Sequence, residues 1–386
     1  MFNTPTVFIL GAGASWHYGY PTGEGLVRKV VEKADAAARY FDFRAISDDD
    51  LLPDFLQQRA GGAKRAERWQ AVANEARMLG RRLKQANPTL IDYFLRQNAD
   101  LHEIGKLVVA MVIFDCEIAL GRERANPNHR ERQQLMIRRG QLPVGSSLDP
   151  TAFEDDWLRF VLYKLTSRCE ESADLLRNEV TFVTFNYDTS LEQRLIDGLR
   201  SVSLFQKADI DEFLRGDRVL HVYGKVRSTI DPPWEQVSTA FLHSSNDRSS
   251  AEVQQAIGRC HQASLGIRTV DGPEKVSDEA VLGAASKAVA KARKLFILGY
   301  GFDQSNSERI GLTSLRRPGD PNRAVFFTNY GGHNRVSIAA SRAMTGRHDA
   351  FLPGSGISRH LNCRFEMSTK NVYDALNEDF ESLETD

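Results

Sequence analysis

Asn186, Asp188 and His221, with two glycine-rich turns, are the residues of this chain whose types and positions could do chemistry. A histidine titrates near neutrality and suits proton transfer. An asparagine amide can accept from a water and donate to a hydroxyl at the same time. The turn Gly11-Ala12-Gly13-Ala14-Ser15 follows an apolar run, Val7-Phe8-Ile9-Leu10, and precedes a stretch able to become helix. Strand, glycine turn and helix is the layout that holds a dinucleotide's pyrophosphate. The glycines let the backbone turn tightly and approach the ligand, and the helix N-terminus offers free N–H groups and partial positive charge. The third glycine of G-x-G-x-x-G is absent here, so the turn by itself discriminates poorly.

The elements that must carry these residues follow from the hydrophobic pattern. Further strand runs are Val180–Phe185 ahead of Asn186-Tyr187-Asp188, Val219–Gly224 around His221, and Lys294–Leu298 ahead of Gly299-Tyr300-Gly301-Phe302. Ala324–Asn329 and a short run at Cys363–Met367 complete the set. Between them lie helical patterns: Gly25–Ala38 with Thr22 as its N-cap, residues 189–200, a helix near 250–264, 278–294 capped by Ser277, and an amphipathic tail over 370–382. The alternation predicts an α/β fold, a Rossmann-like and mostly parallel sheet with helices on both faces. From 41 to 175 strand patterns vanish, and Asp50–Gln58, Ala63–Gln85, Thr89–Gln97, Leu101–Ile118 and Phe153–Glu170 read as helices. Thr89 followed by Asp92 resembles a capping box, and Leu107–Ile118 is apolar all round, as a buried helix would be. The chain therefore divides into a Rossmann-like core, 1–40 and 176–386, and a large helical insertion, 41–175.

In such a sheet, ligands bind beyond the carboxyl ends of the strands. The polar and glycine residues named above collect at that one edge. Composition excludes little else. The 386 residues carry a formal net charge of −1, which argues for neither nucleic acid nor a membrane surface. The four cysteines, Cys116, Cys169, Cys260 and Cys363, form no C-x-x-C pair, so no metal site and no disulfide is expected. No apolar run approaches a membrane span and no secretory signal precedes the first strand, which predicts a soluble, cytoplasmic protein. The run Arg122–Arg139, with six arginines, reads as a basic loop, with docking of nucleic acid or an acidic partner as the alternative.

The segments Gly11–Ser15, Thr184–Asp188, His221–Gly224 and Gly299–Phe302, in this order, resemble the NAD-binding core of the sirtuin family. They are more closely similar to the sirtuin-like NAD hydrolases of bacterial antiphage defence. The resemblance covers roughly 5–40 and 178–330. It implies that Ala12, Gly13 and Ser15 line the pyrophosphate, with Gly11 and Thr22 as further cofactor-binding positions. Asn186 would contact the nicotinamide ribose and place an attacking water, Asp188 would hold the nicotinamide carboxamide, and His221 would be the general base. Gly299, Tyr300 and Phe302 would border the adenosine half. Protein-deacylating sirtuins carry a four-cysteine zinc ribbon, which this chain cannot build. Their Asp-Phe-Arg cofactor loop is replaced by Gly19–Glu24, and their Gly-Thr-Ser by Gly299-Tyr300-Gly301. Water is then the natural acceptor. The expected activity is an NAD glycohydrolase releasing nicotinamide and ADP-ribose, with NAD as substrate, acting as a gated defence effector that depletes cellular NAD. A protein deacylase or ADP-ribosyltransferase, and a non-catalytic NAD or ADP-ribose sensor, are the alternatives. The resemblance further implies a homo-oligomer and a hexameric HerA-type ATPase partner.

The same residues have plain structural uses. Asn186 could be a turn residue, Asp188 an N-cap, and His221 a satisfied core histidine. Asp303, Ser305 and Asn306 could simply start a helix, and His17 reads as a loop residue.

Overall fold

The computed structural model describes residues 1–43, 65–124, 155–226, 251–269, 275–316, 323–352 and 363–380. Six strands, β1 (Thr6–Leu10), β2 (Val180–Thr184), β3 (Val219–His221), β4 (Lys294–Leu298), β5 (Ala324–Thr328) and β6 (Arg364–Ser368), form one sheet. Every pairing is parallel, in the order β3-β2-β1-β4-β5-β6. This is the doubly wound Rossmann order, with its reversal between β1 and β4.

The register explains why aromatic residues recur at one place in each strand. Phe182, Phe8, Phe296 and Phe326 lie side by side across β2, β1, β4 and β5. Their rings stack at 5.3, 4.9 and 4.9 Å between neighbours. Val183, Ile9, Ile297 and Phe327 form the next row. All eight are buried, so both faces of the sheet are covered, as a parallel sheet requires. Each stacked pair adds about 0.5–1.5 kcal/mol beyond its area burial.

The helices are α1 (Ala12–Trp16), α2 (Gly23–Phe43), α3 (Arg65–Ala86), α4 (Ile91–Gln97), α5 (His102–Arg124) and α6 (Leu158–Thr166). There follow α7 (Ser190–Arg200), α8 (Lys207–Leu214), α9 (Ala251–Gly266), α10 (Lys275–Lys291), α11 (Gln304–Arg309) and α12 (Asn334–Thr345). Helix α2 packs on α3 and α5, and α9 closes over α5. Enclosure by these neighbours accounts for the run Leu107–Phe114, buried on every side. Lys33 of α2 reaches Asp115 of α5 at 2.8 Å. Among the described residues, no helix is long and apolar enough to cross a membrane.

Some expected local features differ. Helix α4 begins at Ile91 with Leu90 as N-cap and no side-chain cap, so the box from Thr89 to Asp92 is not formed. The Asp92 side chain is buried instead. Helix α2 starts at Gly23, two residues early, and Thr22 Oγ1 accepts from the Gly25 N–H at a long 3.4 Å. Helix α10 starts at Lys275, which puts Ser277 inside its first turn. The tail is a turn of helix, Val372–Asp374 capped by Asn371, that widens into a π turn over Ala375–Asp379. Asp50–Gln58, and the basic run beyond Arg124, lie outside the described residues.

The last part of the expected insertion is tied to the sheet's helices. Helix α6 packs on α7. Just before it, Trp157 Nε1 donates to the Ala14 carbonyl at 2.9 Å, and Asp156 pairs with Arg194 of α7 at 2.7 Å.

Candidate functional site

The two glycine turns at the β1 and β4 ends pack backbone against backbone. Gly11 N–H donates to Leu298 O at 3.0 Å, Gly13 N–H to Gly299 O at 3.1 Å, and Ala14 N–H to Gly11 O at 2.9 Å. A Cβ on Gly11 would lie 2.4 Å from Gly299 O, and one on Gly13 would lie 2.8 Å from Gly299 Cα. Gly299 has φ +59°, and its Cβ would meet Ala14 N at 2.4 Å. Three glycines are therefore demanded by this contact, whatever the turn binds. Thr328 Oγ1 steadies the β4 turn by accepting from Gly299 N–H at 2.9 Å. Helix α1 is only one turn long, and three of the amides at its start are already used inside the protein.

Asn186 leaves the β2 end and reaches into this turn. Its amide nitrogen donates to Gly11 O at 3.0 Å and to Ser15 Oγ at 2.8 Å. Both partners call for the nitrogen on that side, which fixes the amide orientation. Both amide protons are thus committed, and the oxygen is what an incoming hydroxyl or water could use. Its backbone N–H is held by Thr184 Oγ1 at 3.1 Å. Asp188 Oδ1 accepts from Ser15 Oγ at 3.2 Å, Ser190 N–H at 3.0 Å and Ser190 Oγ at 2.5 Å. Asp188 thereby closes the first turn of α7. Burial raises its carboxyl above the ordinary value, against the hydrogen bonds from Ser190 and Ser15 and the nearby His221. Ser15, Asn186, Asp188 and Ser190 border a cavity of about 10 Å³, room for about one water.

His221, the last residue of β3, is paired in register with Thr184 and so lies beside Asn186. Its Nδ1 is 3.0 Å from the Asn186 backbone carbonyl, and its Nε2 is 2.9 Å from Glu192 Oε1. Lys225 Nζ reaches the same Glu192 oxygen at 3.0 Å. Burial works against the Glu192 charge, but the His221 charge and hydrogen bond, with Lys225, overcome it and hold the carboxyl down at about 2. An ionised Glu192 only accepts, and so does a carbonyl. Each imidazole nitrogen therefore faces an acceptor. Glu192 Oε2 is buried and has no hydrogen-bond partner among the described residues.

The remaining expected residues have varied positions. Tyr300 is buried, its hydroxyl 3.3 Å from Ser307 Oγ, and its ring stacks on Phe185 at 4.9 Å. Phe302 has φ +54° and packs inward against Tyr300 and Phe327. Asp303 caps α11, accepting from the Asn306 N–H at 3.0 Å. Asn306 Oδ1 accepts from the Tyr223 hydroxyl. His17 is buried, with Nδ1 unpartnered among the described residues, and burial lowers its titration to about 4. Among the described residues, no group of His, Cys, Asp and Glu is placed to hold a metal ion.

The structure thus brings Gly11, Gly13, Ser15, Asn186, Asp188, His221 and Gly299 to one edge of the sheet, whereas Phe302 turns into the core and Thr22 caps α2. Glu192, Lys225 and Tyr223 belong to the same cluster and were not singled out from sequence. Glu192 follows Asn186 by six residues in an ordinary amphipathic helix, and only its full burial marks it. No protein-family model matches this chain, and no curated protein or solved structure matches it either.

Proposed function

We propose that the chain is a sirtuin-like NAD glycohydrolase that cleaves NAD to nicotinamide and ADP-ribose. The observation that carries this reading is the join between three strand ends. The His221 imidazole is one hydrogen bond from the Asn186 carbonyl, and the Asn186 amide grips the Gly11–Ser15 turn. In the reaction, water attacks the anomeric carbon of the nicotinamide ribose. The carbon–nitrogen bond breaks with its electron pair passing to the pyridine nitrogen, so nicotinamide leaves neutral. The water's proton passes to a base. Because the leaving group is already good, orientation and a proton acceptor matter more than a strong acid. Asn186 Oδ1 suits the orienting role and His221 the acceptor role.

Both His221 nitrogens are engaged within the protein, Nδ1 by the Asn186 carbonyl and Nε2 by Glu192. Catalysis under this reading requires Nδ1 to leave the Asn186 carbonyl and face the water, so the geometry described fits a resting state. An NAD-draining enzyme needs such restraint. A gated effector of antiphage defence, assembled as a homo-oligomer and released by a HerA-type ATPase partner, is the physiological role we infer.

The test is incubation of the full chain with NAD, alone and with an acceptor peptide, followed by chromatography of the products. Hydrolysis predicts equal nicotinamide and ADP-ribose without acceptor, and at least ~100-fold loss in Asn186→Ala and His221→Ala. NAD loss only with the peptide would indicate a transferase or deacylase. Ligand-dependent melting shifts without turnover, unchanged in His221→Ala, would indicate a sensor.

A further inference from the structure

Helix α11 lies at the carboxyl ends of the strands and is held from its inner side. It runs from Gln304 to Arg309, with Asp303 as its N-cap. Asp303, Gln304, Ser305 and Glu308 are exposed, and Asn306 and Ser307 are buried. Asn306 Oδ1 accepts from the Tyr223 hydroxyl, and Ser307 Oγ lies 3.3 Å from the Tyr300 hydroxyl. Tyr223 follows β3, whereas α11 follows β4, and β2 and β1 lie between those two strands. Neighbouring strands are about 4.8 Å apart, so the groups that meet at Tyr223 and Asn306 bridge a gap on the order of 14 Å. The rings of Tyr223, Phe185 and Tyr300 form a row along that span, with centroids 5.7 and 4.9 Å apart. Phe185 directly precedes Asn186.

These contacts leave little space. The cavity bordered by Ser15, Asn186 and Asp188 is about 10 Å³, whereas ligand pockets run to about 300–1,000 Å³. A nucleotide that reaches Asn186 therefore needs a covering element to move, and α11 is built to do so. Gly301, ahead of it, is exposed, and a Cβ there would meet nothing within 4 Å. Gly311, behind it, has φ +77°. Between them Phe302 holds φ +54°, a left-handed conformation that a bulky side chain rarely adopts. Its ring packs against Tyr300 and Phe327 at 5.2 and 5.5 Å, and this inward packing holds the strained backbone in place. Two glycines and a strained residue at the ends of a short helix are positions that can absorb a change of φ and ψ.

We propose that residues 301–311 are a lid, closed in this structure by the Tyr223–Asn306 and Tyr300–Ser307 contacts, whose opening admits the nucleotide to the strand ends. The identity of the ligand rests on the NAD reading above, and the movement of the segment does not. Opening frees the Tyr223 and Tyr300 hydroxyls and lets the Phe302 backbone relax.

Hydrogen exchange of the ligand-free full chain, read by mass spectrometry, tests the movement, and stopped-flow association with ADP-ribose tests its role. Tyr223→Phe removes one pin and keeps the ring on Phe185, and Ser307→Ala removes the other. The Ser307 and Ile310 amides, bonded to the Asp303 and Asn306 carbonyls at 2.9 and 3.2 Å, report opening. A helix of six residues lifted from its support does not keep its own hydrogen bonds. Each variant should exchange these amides ~5–10-fold faster than wild type, with β2 and β4 unchanged, and should bind ADP-ribose faster by a similar factor. Unchanged exchange in both variants overturns the lid, as does equal acceleration in β2 and β4. Faster exchange with unchanged ADP-ribose association overturns its gating role. Faster exchange in a chain that binds neither NAD nor ADP-ribose, wild type and variants alike, keeps the lid and overturns the NAD reading.

Discussion

Glu192 Oε1 lies 2.9 Å from His221 Nε2, with both side chains almost wholly inside the protein. Lys225 shares that oxygen from the partly exposed side at 3.0 Å. The carboxylate therefore holds the Lys225 ammonium and fixes the plane of the imidazole that faces Asn186.

The Glu192 carboxyl is held down at about 2 from an ordinary 4.5. A depressed carboxyl stabilises the fold fully above its unfolded value and loses that contribution as pH falls through its folded one. The contribution is on the order of 3 kcal/mol, lost between about pH 4.5 and pH 2. Glu192→Gln should cost about 3–5 kcal/mol near neutrality, because it removes the countercharge of Lys225 and the anionic partner of the buried His221. Urea unfolding across that acid window should show a steep loss for wild type and a flatter curve for the variant. Parallel curves would refute this account. Under the hydrolase reading, the same variant should lose about 100-fold in kcat with NAD affinity largely kept, as expected of a positioning residue.

β1, β2, β4 and β5 were legible because each is an apolar run, rich in β-branched or aromatic residues, that stops at glycine, asparagine or a polar turn. Val180–Thr184 and Lys294–Leu298 are found almost to the residue. Their parallel pairing followed from the intervening helices. Glu192 was hidden because its exposure depends on which strand its helix faces. Only the register of Thr184 with His221 sets that, and no local pattern encodes a register between segments so far apart. Asp92 was visible only as a possible capping residue, since α4's burial is decided by α2 and α5. The glycines show the reverse case. Their motif was evident, but a phosphate cradle and a close backbone contact ask for the same residue, and the sequence cannot separate the two.

Those glycines allow a sharp contrast. Gly299→Ala should destabilise severely, by about 3 kcal/mol or more, since left-handed φ and a Cβ 2.4 Å from Ala14 N compound each other. Gly301→Ala, two residues on, meets nothing within 4 Å and should change stability by about 0.5 kcal/mol or less. Thermal unfolding of the two variants reads this directly. Similar melting temperatures would mean that the β1 and β4 turns do not touch in solution as described.

The Asp156–Arg194 pair gives a test of how the chain before α6 holds the site. Asp156 Oδ2 accepts from Arg194 Nε at 2.7 Å, and Oδ1 accepts from the Tyr18 hydroxyl at 2.7 Å. The Tyr18 hydroxyl in turn accepts from the Leu158 N–H at 3.2 Å. Burial and the adjacent Asp156 charge push the Tyr18 hydroxyl well above its ordinary range, so it remains a donor. Arg194→Met should cost about 3–5 kcal/mol by stranding Asp156, and adding Asp156→Asn should recover part of it. Tyr18→Phe should cost about 1–3 kcal/mol. Chemical denaturation of these variants and of Asp156→Asn alone measures these, and additive costs for Arg194→Met and Asp156→Asn would argue that the groups do not form one network. Trp157 ties the same segment to the Ala14 carbonyl, one residue before Ser15. Under the NAD reading, Arg194→Met should therefore weaken nucleotide binding as well as folding, although neither Asn186 nor His221 has been altered.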